Sequence, residues 1–598
     1  MIVSKFLPVP PLSDTLKRLG STVEPVVEAE TAAEFPGVVD RFGASPGAQL
    51  QARLEAFAEE QARHGASYLS DAWTQSYLDT RTPLPLTTSV SFQLAGFPSA
   101  VGLERAADFL HRAATIHLLQ RRGETPVEVD PRGTTLDMDQ WEILSGGVRH
   151  PQAGRDEARR PSDSPSRACI GVLFHGRLFL APVADDDGRI LPSATIRDVV
   201  SGIIDRATDP ESSPFEDAVP ATVAGFTGLS YLGSEVAGPM LEELLGSPEN
   251  AEVYAHLTDM LFVLHVLDDA EDSHGAMVQT EDGAPQGDLD RLRNLAFEPG
   301  HAWAYKPITY ELSLTSDWLA IHFEHSAADG ATVRAAVARM QELDLADEDS
   351  SPEQADVQEP RELVWSMTDD FRGRLEAHVA EYREASAPYG VLSTFAPRTD
   401  LTRLGLRVSD DAVAQLLMTY AQLATYGRVR SVYESVDMRE FQAGRTECLR
   451  PLTPQAVTFA RALLENSATL DQFRDVLDAH RDWIKACKRG AGVDRHLFGL
   501  RMMAEQTGED LAFLESPGLQ ALGKDFLSTT SLGESQPIDR YAFAPSLPHG
   551  LGIGYIKYDD GFEYVINHRA DHAERVAEFA HNLVVAGQAL CDWAAQFD

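Results

Sequence analysis

A mixed α/β protein of two large lobes is the fold class that this sequence predicts. Three observations carry it. The chain has 598 residues, more than one hydrophobic core ordinarily serves. Segments of strand period and of helix period alternate along its length, which argues for sheets covered by helices. The stretch 344–360, with Asp347-Glu-Asp-Ser-Ser-Pro352 inside it, is too polar and acidic to pack and reads as a solvated linker between lobes.

The elements follow in order. The N-terminus is proline-rich, Leu7-Pro-Val-Pro-Pro-Leu12, and a helical period follows over 50–64. The polar stretch 150–166 reads as an exposed loop. The run 169–183 reads as a hairpin with His175-Gly-Arg177 in its turn, and Asp185-Asp-Asp-Gly188 makes another turn. Residues 209–214 mark a further loop. Residues 318–324 alternate as a strand. Val333, Val337 and Met340 then recur at helical spacing. Beyond the acidic stretch, 408–426, 454–466 and 573–597 read as long helices. No internal repeat of solenoid length is present.

The most informative of these junctions is Trp318-Leu-Ala-Ile-His-Phe-Glu-His-Ser-Ala-Ala-Asp-Gly330. Side chains alternate along a strand, so Leu319, Ile321 and Phe323 share a face with His325, and Trp318, Ala320, His322 and Glu324 share the other. His325 is thereby delivered into a turn, with Asp329 four residues on and Gly330 after it. An imidazole that titrates near neutrality, with its own local carboxylate, is equipped to act as a general base toward an alcohol. For a lone HxxxDG, a buried, hydrogen-bonded histidine at a strand end fits as well. His322 and His325 face opposite ways, which disfavours a metal site on that pair, and no metal is expected.

Composition narrows the class. With 43% hydrophobic and 24% charged residues the chain is expected to be a soluble globular protein. No apolar run is long enough to span a bilayer, and the N-terminus lacks the features of a signal peptide. The four cysteines lie far apart and form no metal or disulfide pattern, which fits a reducing cytoplasm. The net charge of −41, from 51 basic and 92 acidic residues, disfavours nucleic acid and anionic membranes as partners. It also repels an anionic substrate unless a local basic patch overrides it.

HxxxDG is shared with chloramphenicol-acetyltransferase-like enzymes and with peptide-synthetase condensation domains. The latter usually place a second histidine directly before the first, where this chain has Glu324. Several further blocks, in order, make a stronger resemblance. Leu7-Pro-Val-Pro-Pro-Leu12, Met138-Asp-Gln-Trp-Glu-Ile-Leu-Ser145 with Val148-Arg-His-Pro151, Val432-Tyr-Glu-Ser435 with Phe441-Gln-Ala-Gly-Arg-Thr-Glu447, Val493-Asp-Arg-His-Leu-Phe-Gly-Leu500 and Leu527-Ser-Thr-Thr530 resemble motifs of the choline/carnitine O-acyltransferase family. The resemblance runs nearly end to end. It implies two chloramphenicol-acetyltransferase-like lobes with the active site in a tunnel at their interface. A segment 1–85 would pack with the C-terminal lobe. Residues 86–343 would form the lobe carrying His325, 344–360 the linker, and 361–598 the lobe carrying the acceptor- and donor-binding motifs.

The same resemblance implies acyl transfer from a thioester to a hydroxyl, in a monomer acting on small molecules, with no permanently bound cofactor and coenzyme A thioester as substrate. His325 would take the hydroxyl proton and return it to the leaving thiolate. Asp329 would orient the imidazole and stabilise its protonated form. Thr530, at the last position of the family's LSTS motif, would donate to the developing oxyanion. Tyr433, Thr446 and Arg495 match a clamp for the carboxylate of carnitine, which choline lacks. Phe543 matches an aromatic near the trimethylammonium group. Tyr541 stands where long-chain members keep a small residue, and its bulk points to short acyl groups.

The donor side departs from the family. Two lysines that engage the 3′-phosphate of coenzyme A are replaced by Asp400 and Leu404, with only Arg398, Arg403 and Arg407 nearby. Asp411 matches an aspartate that could contact the pantetheine arm. Either Arg403 and Arg407 shift in to hold the phosphate, or the donor lacks that phosphate, as an acyl carrier protein does. Carrier proteins are usually acidic too, so coenzyme A is the preferred donor.

Overall fold

The computed structural model of the chain describes residues 5–98, 101–162, 166–209, 225–268, 286–344, 358–509 and 512–597. In chain order its strands are β1 (Val90–Leu94), β2 (Val148–His150), β3 (Glu157–Arg159), β4 (Cys169–Phe174), β5 (Arg177–Pro182), β6 (Val263–Leu267), β7 (Ile308–Ser313), β8 (Leu319–Phe323), β9 (Arg361–Leu363), β10 (Tyr389–Pro397), β11 (Val432–Asp437), β12 (Thr446–Leu449), β13 (Leu527–Thr530), β14 (Ile538–Phe543), β15 (Leu551–Lys557) and β16 (Gly561–Arg569). They form an eight-stranded sheet in the order β14-β1-β8-β7-β6-β4-β5-β9, a six-stranded sheet in the order β10-β16-β15-β13-β11-β12, and the ribbon β2-β3. The two large sheets are the cores of two lobes, as the fold class required.

Strands β6, β7 and β8 are buried along their whole length because helices cover both faces of the first sheet. On one face Leu319, Ile321 and Phe323 pack with residues of the helices Leu103–Arg121 and Gly330–Glu342. On the other, Trp318 and Ala320 pack with Leu292 and Leu295 of the helix Gln286–Phe297. The β4–β5 hairpin closes at His175-Gly176, both in the left-handed region (φ 47° and 71°), the backbone that a two-residue turn between twisted strands requires.

The expected lobe boundary is displaced. Most of the acidic stretch lies outside the described residues, and β9, just after it, pairs with β5 in the first sheet. The helix Asp369–Ser386 then buries Phe371, Leu375 and Val379 against Leu241 and Trp303 of the same lobe. The chain reaches the second sheet only at β10. Apolar side chains at helical spacing in 369–386 explain this, since they need a partner surface and find it on the first lobe. The expected loop at 150–166 contains β3, paired with β2. The loop expected at 209–214 lies outside the described residues, apart from Asp209.

Residues before 86 send Leu16, Leu19, Phe35, Leu50 and Leu54 into a cluster with Leu449, Trp483, Val493 and Leu500 of the second lobe. In exchange β14, late in the chain, leaves the second lobe and becomes the edge of the first sheet. It lies across Leu551-Gly-Ile-Gly-Tyr555. A Cβ at Gly554 would stand 2.4 Å from the Tyr541 ring, and one at Gly552 2.8 Å from the Phe543 ring. Only glycine lets the second sheet approach the strand so closely. This exchange sets the register of the site. Phe543, Val90, Phe323 and Ile308 form one row across β14-β1-β8-β7, and Tyr541, Phe92, Ile321 and Tyr310 form the next on the same face.

Candidate active site

His325 follows the end of β8, past the first of these rows. Its ring stacks on Tyr77 of the helix Ser70–Leu78, with centroids 5.5 Å apart and planes 9° apart. Nδ1 lies 3.8 Å from Asp329 Oδ1 and is buried without a hydrogen-bond partner. That separation is too long for a hydrogen bond. The expected orientation of His325 by a bond from Asp329 is therefore replaced by stacking, and Asp329 acts on the ring through charge. Burial holds the His325 pKa below the ordinary imidazole value. Asp329 pulls it up and Arg445 pushes it further down. The ring is therefore held neutral at neutral pH.

Arg445 organises the turn. Its Nε donates to Asp329 Oδ2 at 2.8 Å, and its terminal nitrogens donate to the carbonyls of Ser326 (2.7 Å), His325 (2.9 Å) and Ala328 (3.0 Å). Gln140 Nε2 donates to Asp329 Oδ2 at 3.0 Å, and its Oε1 accepts from the Asp329 amide and the Thr332 hydroxyl, both at 2.8 Å. On the other flank Arg149 donates to Ser326 Oγ (2.8 Å), pairs with Asp156 (2.7 Å) and lies 3.4 Å from Glu324. Burying so many charges is tolerable only because each is paired. Gln140, Arg149 and Arg445 sit inside sequence blocks noted above, yet no role was read for them. The blocks gave their presence, and only the contacts give their task. Tyr77 carried no signal beyond being an aromatic on a helix.

The second lobe brings Tyr433, Thr446 and Arg495 together. Arg495 opens the helix Asp494–Thr507, donates to Thr446 Oγ1 at 3.3 Å and to the Thr446 carbonyl, and lies 3.5 Å over the Trp73 ring. Burial opposes its charge, but Tyr433, Glu447 and Asp494 outweigh it and raise the pKa. Burial likewise pushes up the Tyr433 hydroxyl, with Arg495 and the Thr446 hydroxyl pulling against it. Tyr77 touches both sides, its ring stacked on His325 and lying 5.0 Å from the Arg445 guanidinium. Burial lifts the Glu447 carboxyl behind Arg495 to about 7.

Thr530 stands on the face of β13 that carries Ser528, beside Tyr433 and Ser435 of β11, and its hydroxyl is 3.3 Å from Ser435 Oγ. Phe543 and Tyr541 reach this face from β14. Tyr541 is fully buried, meets Phe92 edge-on at 5.6 Å, and accepts a hydrogen bond from the Leu532 amide at 2.9 Å. A cavity of about 430 Å³ reaches the turn after His325, with Gln140, Arg149, Glu324, Ser326, Ala327 and Arg445 in its wall.

The donor-side residues are not gathered in the same way. Asp411 is held by His480 at 2.9 Å and by the Tyr555 hydroxyl at 2.6 Å, which also bonds Glu434. Burial and the neighbouring Asp411 hold the Glu434 carboxyl far above its usual range. Arg403 and Arg407 are exposed on the approach to the helix Asp410–Tyr426. The nearby cavity of about 260 Å³ contains Asp400, Arg398 and Lys557 instead. Its two cations both face Asp410, at 2.8 Å from Arg398 and 3.1 Å from Lys557.

With this geometry in view, comparison with known proteins is specific. The family model for choline/carnitine O-acyltransferases matches residues 7–585. The peroxisomal carnitine O-octanoyltransferase of Mus musculus is 25% identical over 588 residues, covering 93% of this chain and 90% of that protein. The mitochondrial carnitine O-palmitoyltransferase 2 of the same species is 26% identical, covering 93% of this chain and 86% of that protein. Among the described residues, no helix is long and apolar enough to cross a membrane. A match over nearly the whole chain puts this chain in the choline/carnitine O-acyltransferase family.

Proposed function

We propose that the protein moves a short acyl group between a coenzyme A thioester and the hydroxyl of carnitine or a carnitine-like alcohol. His325 is the general base. It takes the hydroxyl proton as the oxygen attacks the thioester carbonyl, and returns the proton to the leaving sulfur. Asp329, 3.8 Å away, lowers the energy of the imidazolium through charge. Thr530 donates to the oxyanion. The observation that supports this reading is the ring of Tyr77, which stacks on His325 and feels the charge of Arg495, whose side chain bonds the Thr446 hydroxyl. Such a set of donors suits an acceptor carrying both a hydroxyl and a carboxylate. Phe543 offers a face to the trimethylammonium group.

Tyr541 supports a short acyl group, because its ring fills the space between Phe92 and Gly554. The mouse relatives named above are an octanoyltransferase and a palmitoyltransferase, so a short-acyl preference would set this chain apart from them. A second reading of the donor rests on the cavity at Asp400. Its cations are already matched by Asp410, which leaves little attraction for a 3′-phosphate and suits a carrier-protein thioester as well as coenzyme A. The cytoplasm is proposed as the compartment from the spacing of the cysteines.

A paired assay tests the reading. Acetyl-coenzyme A is offered with carnitine, then with choline, and acetyl-dephospho-coenzyme A with carnitine. Transfer to carnitine and not to choline is expected. No transfer to carnitine refutes the acceptor, and equal rates with and without the 3′-phosphate favour the second reading of the donor.

A further inference from the structure

The first sheet buries a second cluster of ligating groups, on the face opposite the row that leads to His325. Glu311 on β7 is the register partner of His265 on β6. His301 reaches the same carboxylate from the segment before β7. Glu311 Oε2 lies 2.8 Å from His265 Nδ1 and 2.6 Å from His301 Nδ1, and the two rings meet edge to face at 5.1 Å. Glu311 Oε1 accepts from Trp318 Nε1 at 2.9 Å. Glu311 is fully buried, His265 nearly so, and the His301 side chain is 21% exposed.

An ionised carboxylate under a sheet is costly unless specific partners hold it there. Glu311 is held there by an imidazole nitrogen from each histidine and by the Trp318 indole. One ligating atom from each of the three residues falls within a sphere where all lie within 4.8 Å of one another. Two imidazoles and a carboxylate form the donor set of a borderline divalent ion such as zinc, whose bonds to nitrogen and oxygen run about 2.0–2.2 Å. The indole of Trp318 fixes the outer carboxylate oxygen, as a supporting hydrogen bond does around a ligating carboxylate.

We propose that His265, His301 and Glu311 form a binding site for one divalent transition-metal ion, zinc by ligand type, separate from the active site. Both rings would ligate through Nδ1, with each ring proton on Nε2. Two neutral imidazoles and one carboxylate leave the bound ion with one net positive charge. A fourth position remains for water. The ion would tie β6, β7 and the segment before β7 together, with no part in acyl transfer. The motif reading missed the trio because its members are scattered along the chain and only the β6–β7 register joins them.

The test uses the full chain, stripped with a chelator and titrated with zinc by calorimetry and by competition with a chromogenic chelator. One zinc per chain is expected, at a dissociation constant tighter than about 1 μM. His301→Ala should weaken it by at least about 100-fold, and cobalt(II) should give a ligand-field spectrum in the wild type that the variant lacks. Zinc should raise the thermal midpoint of the wild type only. His301 is partly exposed and off the strands, so this variant decides the matter even if Glu311→Gln does not fold. No stoichiometric uptake by the wild type overturns the proposal, leaving a hydrogen-bonded His–Glu–His cluster. So does uptake that is equal in wild type and His301→Ala, which is adventitious binding to other histidines and carboxylates.

Discussion

At the scale of the residue, the account turns on why His325 is neutral and where it points. Burial is the largest influence on its pKa and lowers it, Asp329 partly restores it, and Arg445 opposes Asp329. In the proposed mechanism the neutral ring is the active form, so protonation on acidification removes activity. The acid limb of kcat/KM is therefore expected to fall at a pH below 6.5, the ordinary imidazole value. A profile of kcat/KM against pH checks this, and a limb at or above 6.5 would show that the ring is better solvated than it is here. The placement of His325 near Asp329 and of Arg495 against Thr446 was legible in the sequence, because the motif blocks hold these residue types at fixed spacing. The long Nδ1 to Asp329 distance was not. It follows from Arg445 and Gln140 occupying Asp329, and contacts across hundreds of residues leave no local pattern. The His265–His301–Glu311 trio was hidden because only the β6–β7 register sets His265 beside Glu311.

At the scale of the element, β14 is the decisive strand. It hydrogen-bonds to β1 in one lobe while Tyr541 and Phe543 rest on Gly554 and Gly552 of the other. Gly554→Ala places a methyl within 2.4 Å of the Tyr541 ring, so something must move. A loss of about 1–3 kcal/mol is expected from overpacking. Tyr541→Ala in the same chain should recover part of it, since contacting residues do not add independently. Urea unfolding of the two single variants and the double variant measures that coupling, and strict additivity would mean that the ring is not wedged there. The sequence made five of the seventeen described α-helices and the β4–β5 hairpin legible, through period and turn chemistry. It did not reveal that β14 changes lobes or that 369–386 packs with the first lobe. A strand's period specifies which faces are buried and not which sheet it joins.

At the scale of the whole molecule, the net charge of −41 acts on every anionic substrate that approaches. Salt screens such repulsion, with a Debye length of about 10 Å at 0.1 M. The KM for an acyl-coenzyme A is therefore expected to fall as ionic strength rises from low values toward 0.15 M, whereas the KM for zwitterionic carnitine should change little. A donor KM that rises with salt would point to a local basic patch strong enough to reverse the field. The two lobes depend on each other: the N-terminal segment completes the core of the second, β14 completes the sheet of the first, and His325 and Arg495 come from opposite sides of that exchange. The most direct measurement is acetyl transfer from acetyl-coenzyme A to carnitine by wild type and by His325→Ala, with thermal unfolding to confirm that the variant is folded. The account predicts a fall of roughly 10²- to 10⁴-fold in kcat at an unchanged unfolding midpoint. Transfer at the wild-type rate by the folded variant would contradict it.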